Sequence, residues 1–333
     1  TDGRGGRRDR IEGAEERQGT RRFGIFKQGR SDARDTCAAL ADHTNGRKGT
    51  EKKVSERMIR FTVLGSGSTG NAVLISSERT HVLVDAGMSA KEITRRLGEA
   101  GVRREDLSAV LLTHEHGDHA GGLRVFMSGV KCPVFISDAT EDAYFATRAG
   151  ANGDGESQKR KAALAGRTVS IVSSEEFRIG DIDFEPFSVP HDAADNFGFV
   201  AKRDGVRVAT LMDFGHITDA ICDRLNGCDA VIIESNHSRD MLRACSVYSW
   251  DLKQRIMSRT GHLSNEDLAE WLQFRFDGKA RLIVLAHLSQ RANDPHLARI
   301  TAETALKMRS PLARAETHIT VSHPKQPTEW CEF

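Results

Sequence analysis

The chain predicts an α/β protein built as a four-layered αβ/βα sandwich. Three observations carry that expectation. Predicted strands outnumber predicted helices. The helices fall between groups of strands rather than in one block. A hydrophobic content of 38% over 333 residues supplies a core large enough for two sheets. Taken in order, residues 59–64 read as a strand and the Gly- and Ser-rich run 65–71 as a tight loop. Residues 72–75 and 81–85 are two further strands. Ser89 opens a helix, with Glu92 at the capping-box spacing and Ile93 and Leu97 on one face. Residues 109–113 form a strand, 119–127 a helix and 134–136 another strand. The polar, basic stretch 147–167 reads as a helix end plus an exposed loop. The short apolar runs 168–172, 177–179, 183–189 and 197–202 have the pattern of antiparallel strands, and 206–212 and 230–234 are strands again. Ser264 caps a helix whose Leu268, Trp271 and Leu272 make a buried face. Residues 282–286 form a late strand, and a helix follows at 295–307.

Charge is distributed unevenly. The formal net charge is +1, but residues 1–57 carry 15 Lys and Arg against 10 Asp and Glu, so residues 58–333 sum to about −4. The compact part therefore has no global nucleic-acid footprint, and such a contact must use a local patch and metal ions. Residues 1–57 are Arg-, Gly-, Asp- and Glu-rich with few apolar residues, and are expected to be a disordered or non-native extension. The first methionine is Met58, where translation is expected to begin, and the hydrolase domain is expected over 58–333. No secretory h-region and no run of membrane-spanning length is present. The six cysteines are scattered without a C-x-x-C pair, which points to reduced thiols in the cytoplasm.

The segment Thr113-His114-Glu115-His116-Gly117-Asp118-His119 follows the apolar run 109–112. Imidazole and carboxylate groups in this density are a ligand set for zinc-like or manganese-like ions. Alternation puts His114 and His116 on one side, leaving Asp118 and His119 to turn toward a second ion. A two-metal site needs further ligands, and a His or Asp directly after an apolar strand is the candidate type. His191, Asp213 and His287 each stand in that position.

The cluster reads as the HxHxDH motif, and with His191, Asp213 and His287 the set resembles the metallo-β-lactamase superfamily. The similarity sharpens toward its YycJ/WalJ group, related to ribonuclease Z. It rests on residues 65–71, Asp85-Ala86-Gly87, residues 190–195, Glu234-Ser235-Asn236-His237, residues 261–267 and residues 285–289. The resemblance implies the metallo-β-lactamase fold. It implies that His114, His116 and His191 hold one metal, that Asp118, His119 and His287 hold the other, and that Asp213 bridges them. Asp85 would orient the ligand loop. The implied activity is a 5′-to-3′ DNA exonuclease using two Zn²⁺ or Mn²⁺ ions and a bridging hydroxide, with Asp118 orienting the water. His262, just before the Ser264-capped helix, is expected to assist the leaving group or bind the phosphate. Glu234 and His237 are expected to support the ligands, and Ser66, Ser68, Asn71 and Ser264 to contact substrate. Arg243, Lys253 and Arg255 form a basic segment, most simply a solvated face, with nucleic-acid contact as its functional reading.

The 22 residues from His191 to Asp213 leave no room for the tRNA-gripping arm of ribonuclease Z. The 74 residues from Asp213 to His287 leave none for a β-CASP cap. The site is thus expected to be open, with nucleic acid as partner, DNA ahead of RNA. Two alternatives stand beside this reading: a hydrolase of small phosphodiesters or thioesters on the same fold, and a metal-binding regulator without turnover.

Overall fold

The computed structural model describes residues 59–146, 153–309 and 316–333. The extension expected over residues 1–57 and part of the loop expected over 147–167 lie outside the described residues. Two sheets, each of seven strands, carry the fold. In the first, β1 (Arg60–Gly65), β2 (Ala72–Ser76) and β3 (His81–Val84) form an antiparallel meander. The sheet then continues in parallel through β4 (Ala109–Leu111), β5 (Val134–Ile136) and β6 (Thr168–Ser170). In the second sheet, β7 (Phe177–Ile179), β8 (Ile182–Ser188), β9 (Phe197–Arg203) and β10 (Val206–Leu211) are antiparallel. There β11 (Ala230–Glu234), β12 (Leu282–Ala286) and β13 (His318–Val321) add in parallel. The last strand, β14 (Cys331–Glu332), returns to pair with β1 in the first sheet.

The strands are apolar on successive residues because both faces are covered, as parallel strands require. Phe61, Val63, Val73, Val82, Val84 and Leu111 of the first sheet meet Phe184, Phe199, Val208, Ile232 and Val284 of the second in one buried cluster. On the outer face of the first sheet, Leu64, Leu74, Leu83 and Val110 pack on α1 (Ala90–Glu99), α2 (Gly117–Ala120) and α3 (Leu123–Met127). Along that flank run α4 (Asp138–Phe145) and α5 (Gly153–Leu164). On the outer face of the second sheet, Val200, Leu211, Ile233 and Leu285 pack on α6 (Asp219–Leu225), α9 (Asn265–Phe274) and α10 (Pro295–Lys307). Two short helices, α7 (Arg239–Ala244) and α8 (Trp250–Ile256), precede α9. Each Val, Leu or Ile so covered contributes roughly 1.5–3 kcal/mol relative to exposure. The layers are helix, sheet, sheet, helix, the predicted sandwich.

Four details depart from the sequence expectation. The helix expected over 119–127 is two short helices broken at Gly121-Gly122. There a Cβ on Gly122 would stand 1.8 Å from the Met88 carbonyl oxygen. The stretch read as a helix end and loop contains α5, whose polar composition hides it. Strand β6 was expected among the antiparallel strands, yet it pairs in parallel with β5, because α5 carries the chain across as a βαβ crossover. Strands β13 and β14 and helices α4, α6, α7 and α8 were not foreseen. Among the described residues no helix is long and apolar enough to cross a membrane.

Candidate metal centre

The candidate ligands gather where strands of both sheets end at their carboxyl termini, the edge at which α/β sheets collect ligands. Asp85 follows β3, His114 and His116 leave β4, and Asp118 and His119 sit on α2. His191 follows β8, Asp213 follows β10, and His287 follows β12. Asp85, Asp213 and His287 have φ of 65°, 56° and 52°. A left-handed backbone at a residue other than glycine costs on the order of 1–3 kcal/mol and persists only where its surroundings impose it. Here it turns each side chain inward directly after its strand.

Seven side chains form two groups sharing Asp213. His114, His116, His191 and Asp213 offer atoms within 4.8 Å of one another, and so do Asp118, His119, Asp213 and His287. The Asp213 carboxylate lies 3.4 Å from His114 Nε2, 3.2 Å from His119 Nε2 and 3.7 Å from His191 Nε2. His287 Nε2 is 3.3 Å from Asp118. Burial pushes the His114 imidazole down to about 4, and its Nε2 is buried without a hydrogen-bond partner. An orphaned lone pair among clustered imidazoles and carboxylates fits a divalent cation, and the nitrogen and oxygen donor set without sulfur suits zinc or manganese.

The outer nitrogens of the imidazoles are held. His191 Nδ1 lies 3.2 Å from the Gly261 carbonyl, which can only accept, so Nδ1 carries the proton and Nε2 is left basic. His119 Nδ1 lies 2.7 Å from Asp85, whose carboxylate also accepts the backbone N–H and hydroxyl of Thr113. Burial works against a charged His119, yet the Asp213 and Asp85 carboxylates hold it well above the usual imidazole range. Glu234 uses both oxygens. Oε1 meets His262 Nδ1 at 2.8 Å and His287 Nδ1 at 2.9 Å, while Oε2 accepts the backbone N–H of Phe214 and Leu263. Burial opposes its ionisation, but His262 and His287 hold Glu234 at about 2. Thr113 and Asn196, whose amide donates to the Asp213 carbonyl, complete this support. Neither was singled out from sequence, although Thr113 directly precedes the first ligand.

The ligands floor an open cleft of about 390 Å³. Ser68 and His262 line it, but three other residues expected to meet substrate do not. Ser66 is buried, donates to Asn71 Oδ1 and accepts the His287 backbone N–H at 2.7 Å. Asn71 donates to the Asp118 carbonyl, so both residues lock ligand backbones instead. Ser264 is buried and caps α9 through the Asp267 N–H, which closes that helix end. His237 is also buried away from the cleft. Burial pushes its ring down to about 4, and only its carbonyl serves, accepting the Asn265 N–H. In the basic segment, Lys253 is spent on the Arg243 carbonyl and Arg243 pairs with Asp240, leaving Arg255 at the cleft wall.

Residues 80–288 match the family described as Beta-lactamase superfamily domain. The chain is 35% identical over 248 residues to the exodeoxyribonuclease WalJ of Streptococcus pneumoniae, covering 74% of this chain and 88% of that one. It is 32% identical over 279 residues to the exodeoxyribonuclease YycJ of Bacillus anthracis, covering 81% and 98%. Among solved structures, the metallo-β-lactamase fold protein YhfI of Bacillus subtilis superposes with TM-score 0.59 at 16% identity, over 81% of this chain and 99% of that one. The short form of human tRNase Z superposes with TM-score 0.53, also at 16% identity, over 81% and 98%.

Proposed function

Since the chain belongs to the β-lactamase superfamily and is a metal-dependent hydrolase within it, we propose that it is a two-metal phosphodiesterase, a DNA exonuclease working from the 5′ end. The observation that carries this reading is the pair of ligand groups joined at Asp213. In it His114, His116 and His191 hold one zinc or manganese ion, Asp118, His119 and His287 hold the other, and Asp213 serves both. Such ions, when bound, supply a water of lowered pKa and charge to stabilise the attacking and leaving oxygens of a phosphodiester. The protein's own groups do the rest. Asp118, partly exposed where it lines the cleft, accepts a proton from the attacking water and orients it. His262 is fixed through Nδ1 to Glu234. Burial would lower it, but that carboxylate raises it above its usual value, so its ring brings a proton to the leaving oxygen. Ser68, which also lines the cleft, contacts the phosphate. DNA is preferred to RNA as substrate because the relatives at 32–35% identity carry exodeoxyribonuclease names. The described cysteines are all free, consistent with a reducing, cytoplasmic setting.

The test uses metal-stripped protein restored with Mn²⁺ or Zn²⁺ and given 5′-labelled and 3′-labelled DNA and RNA. Metal-dependent release of the 5′ label from DNA, lost in Asp118→Ala, is the expected result. Hydrolysis of bis(p-nitrophenyl) phosphate without cleavage of any polymer would replace the exonuclease by a small-molecule phosphodiesterase.

A further inference from the structure

His262, the proton donor to the leaving oxygen, is held in two separate ways. Glu234 fixes its ring through Nδ1. Its backbone belongs to the turn 258–261, which follows helix α8. That helix buries no residue, so it gives the turn no anchor in the core. Within the turn, the Gly261 N–H donates to the Ser258 carbonyl and the His262 N–H to the Ile256 carbonyl. These bonds shape the turn but do not place it against the ligands. Placement matters, because a reacting group displaced by about 1 Å can cost on the order of 10²-fold in rate.

Three successive carbonyls of the turn are taken by donors from outside it. Gly261 accepts from His191 Nδ1 at 3.2 Å, and Thr260 from the Asp192 N–H at 3.1 Å. Arg259 accepts from His216 Nδ1 at 2.9 Å. All three donors sit on segments that carry candidate ligands. His191 and Asp192 follow β8, and His216 stands three residues after Asp213. Those segments are joined in turn, since the Gly215 N–H donates to the Pro190 carbonyl at 3.2 Å. His216 grips Arg259 at two points. Its Nδ1 faces a carbonyl, which can only accept, and so carries the proton. Its Nε2 lies 2.9 Å from Arg259 Nη2, which can only donate, and so is the bare acceptor. The two segments dock backbone against backbone: a Cβ on Gly215 would stand 2.3 Å from the Arg259 carbonyl carbon and oxygen. Neither His216 nor Arg259 is among the residues that line the cleft.

We propose that His216 is a positioning residue for His262: by clasping Arg259 it sets the turn, and with it the acid, in register with Asp213 and His191. This rests on the role of His262 given above and adds the residue that enforces it. In that step the water oxygen bonds to phosphorus and its proton passes to Asp118. The phosphorus–oxygen bond to the departing sugar breaks, its electron pair stays on the sugar oxygen, and that oxygen takes the proton from His262 Nε2. Because Nδ1 is tied to Glu234, the reach of Nε2 depends on where the backbone of residue 262 sits. The clasp makes that place follow the segment of Asp213, so the acid and the shared carboxylate keep one spacing.

The test compares DNA with bis(p-nitrophenyl) phosphate on the metal-restored full chain. A sugar alkoxide needs a proton to leave and p-nitrophenolate does not, so DNA cleavage alone should feel a displaced acid. His216→Ala is expected to lower kcat on DNA about 10- to 100-fold, with KM and bound metal unchanged. Its rate on the small diester stays within about twofold of the wild type. His216→Asn, whose amide donates from the place of Nδ1, restores most of the loss. Arg259→Ala leaves the carbonyl in place and costs less than His216→Ala. The double variant of His216→Ala with His262→Ala is no slower on DNA than His262→Ala alone, as expected of two residues acting in one step. No loss on DNA in His216→Ala, equal losses on both substrates, or losses that multiply in the double variant would overturn the proposal. If His262→Ala itself depresses both substrates equally, the acid role of His262 has failed, and this proposal with it. If the wild type cleaves the small diester and no polymer, the nuclease reading alone has failed. The same comparison is then read between bis(p-nitrophenyl) phosphate and diphenyl phosphate, whose phenolate leaves less readily.

Discussion

Glu234 shows what a single residue does in this centre. Its oxygens accept from two imidazoles and two backbone N–H groups, and so fix His262 and His287. Glu234→Gln replaces one acceptor oxygen by a donor that faces N–H groups. It is expected to cost about 10–100-fold in metal affinity or activity, read by metal titration and initial rates. The gathering of the candidate ligands was legible, because a metal site built on sheet ends requires His or Asp directly after an apolar strand, as at His191, Asp213 and His287. The roles of small polar residues were not legible. Ser66 was expected at the substrate, yet its hydroxyl holds the backbone of His287, 221 residues away. A hydroxyl accepts from whatever the fold brings near, and no local pattern records that partner.

At the scale of elements, the site depends on how closely loops dock. A Cβ on Gly87 would lie 1.7 Å from the Asp118 carbonyl oxygen and 2.8 Å from the Asn71 nitrogen. Gly87→Ala must therefore push the α2 loop outward. The expected cost is about 3 kcal/mol or more in stability, with loss of metal affinity, measured by urea denaturation and metal titration. Helix α1 is tied to the same region by Arg96, a buried side chain that bonds Glu92 and the carbonyls of Leu64 and Pro324. Hydrogen bonds from Arg95 and Arg96 hold Glu92 at about 2 against an ordinary 4.5. A carboxyl depressed by folding adds stability that is fully present above its unfolded value and is lost as pH falls through the folded one. Stability should thus decline between about 4.5 and 2, and the part due to this helix should vanish in Glu92→Gln, followed by denaturation midpoints across that range. Long apolar strands and capped amphipathic helices were readable for the same physical reasons that make them stable. Helices α6, α7 and α8 left only their N-cap residues Thr218, Ser238 and Ser249 as a signal, since each is a short segment with few or no buried positions.

Across the whole molecule, the candidate ligands come from both sheets: His114 and His116 follow a strand of the first, and His191, Asp213 and His287 follow strands of the second. Ions bound there would join the halves of the sandwich and bind only the folded chain. At a hundredfold excess over Kd, linkage gives about 2.7 kcal/mol. For a domain of this size that is a rise in Tm of roughly 5–10 °C on restoring metal to stripped protein, read by calorimetry. The sandwich itself was foreseen from the order of strands and helices. The parallel halves and the return of β14 to β1 were not, because pairing direction is decided by crossovers such as α5 whose own pattern is weak.

The central claim is that Asp213 joins two metal sites that act together on phosphodiesters. Its most direct test is stepwise titration of the metal-stripped chain with Mn²⁺ or Zn²⁺, following bound metal and release of label from 5′-labelled DNA in one experiment. Two equivalents bound per chain, with activity rising to its plateau only at the second and abolished in Asp213→Ala, is the predicted result. Full activity in the presence of chelator, or a plateau at one equivalent, would contradict it.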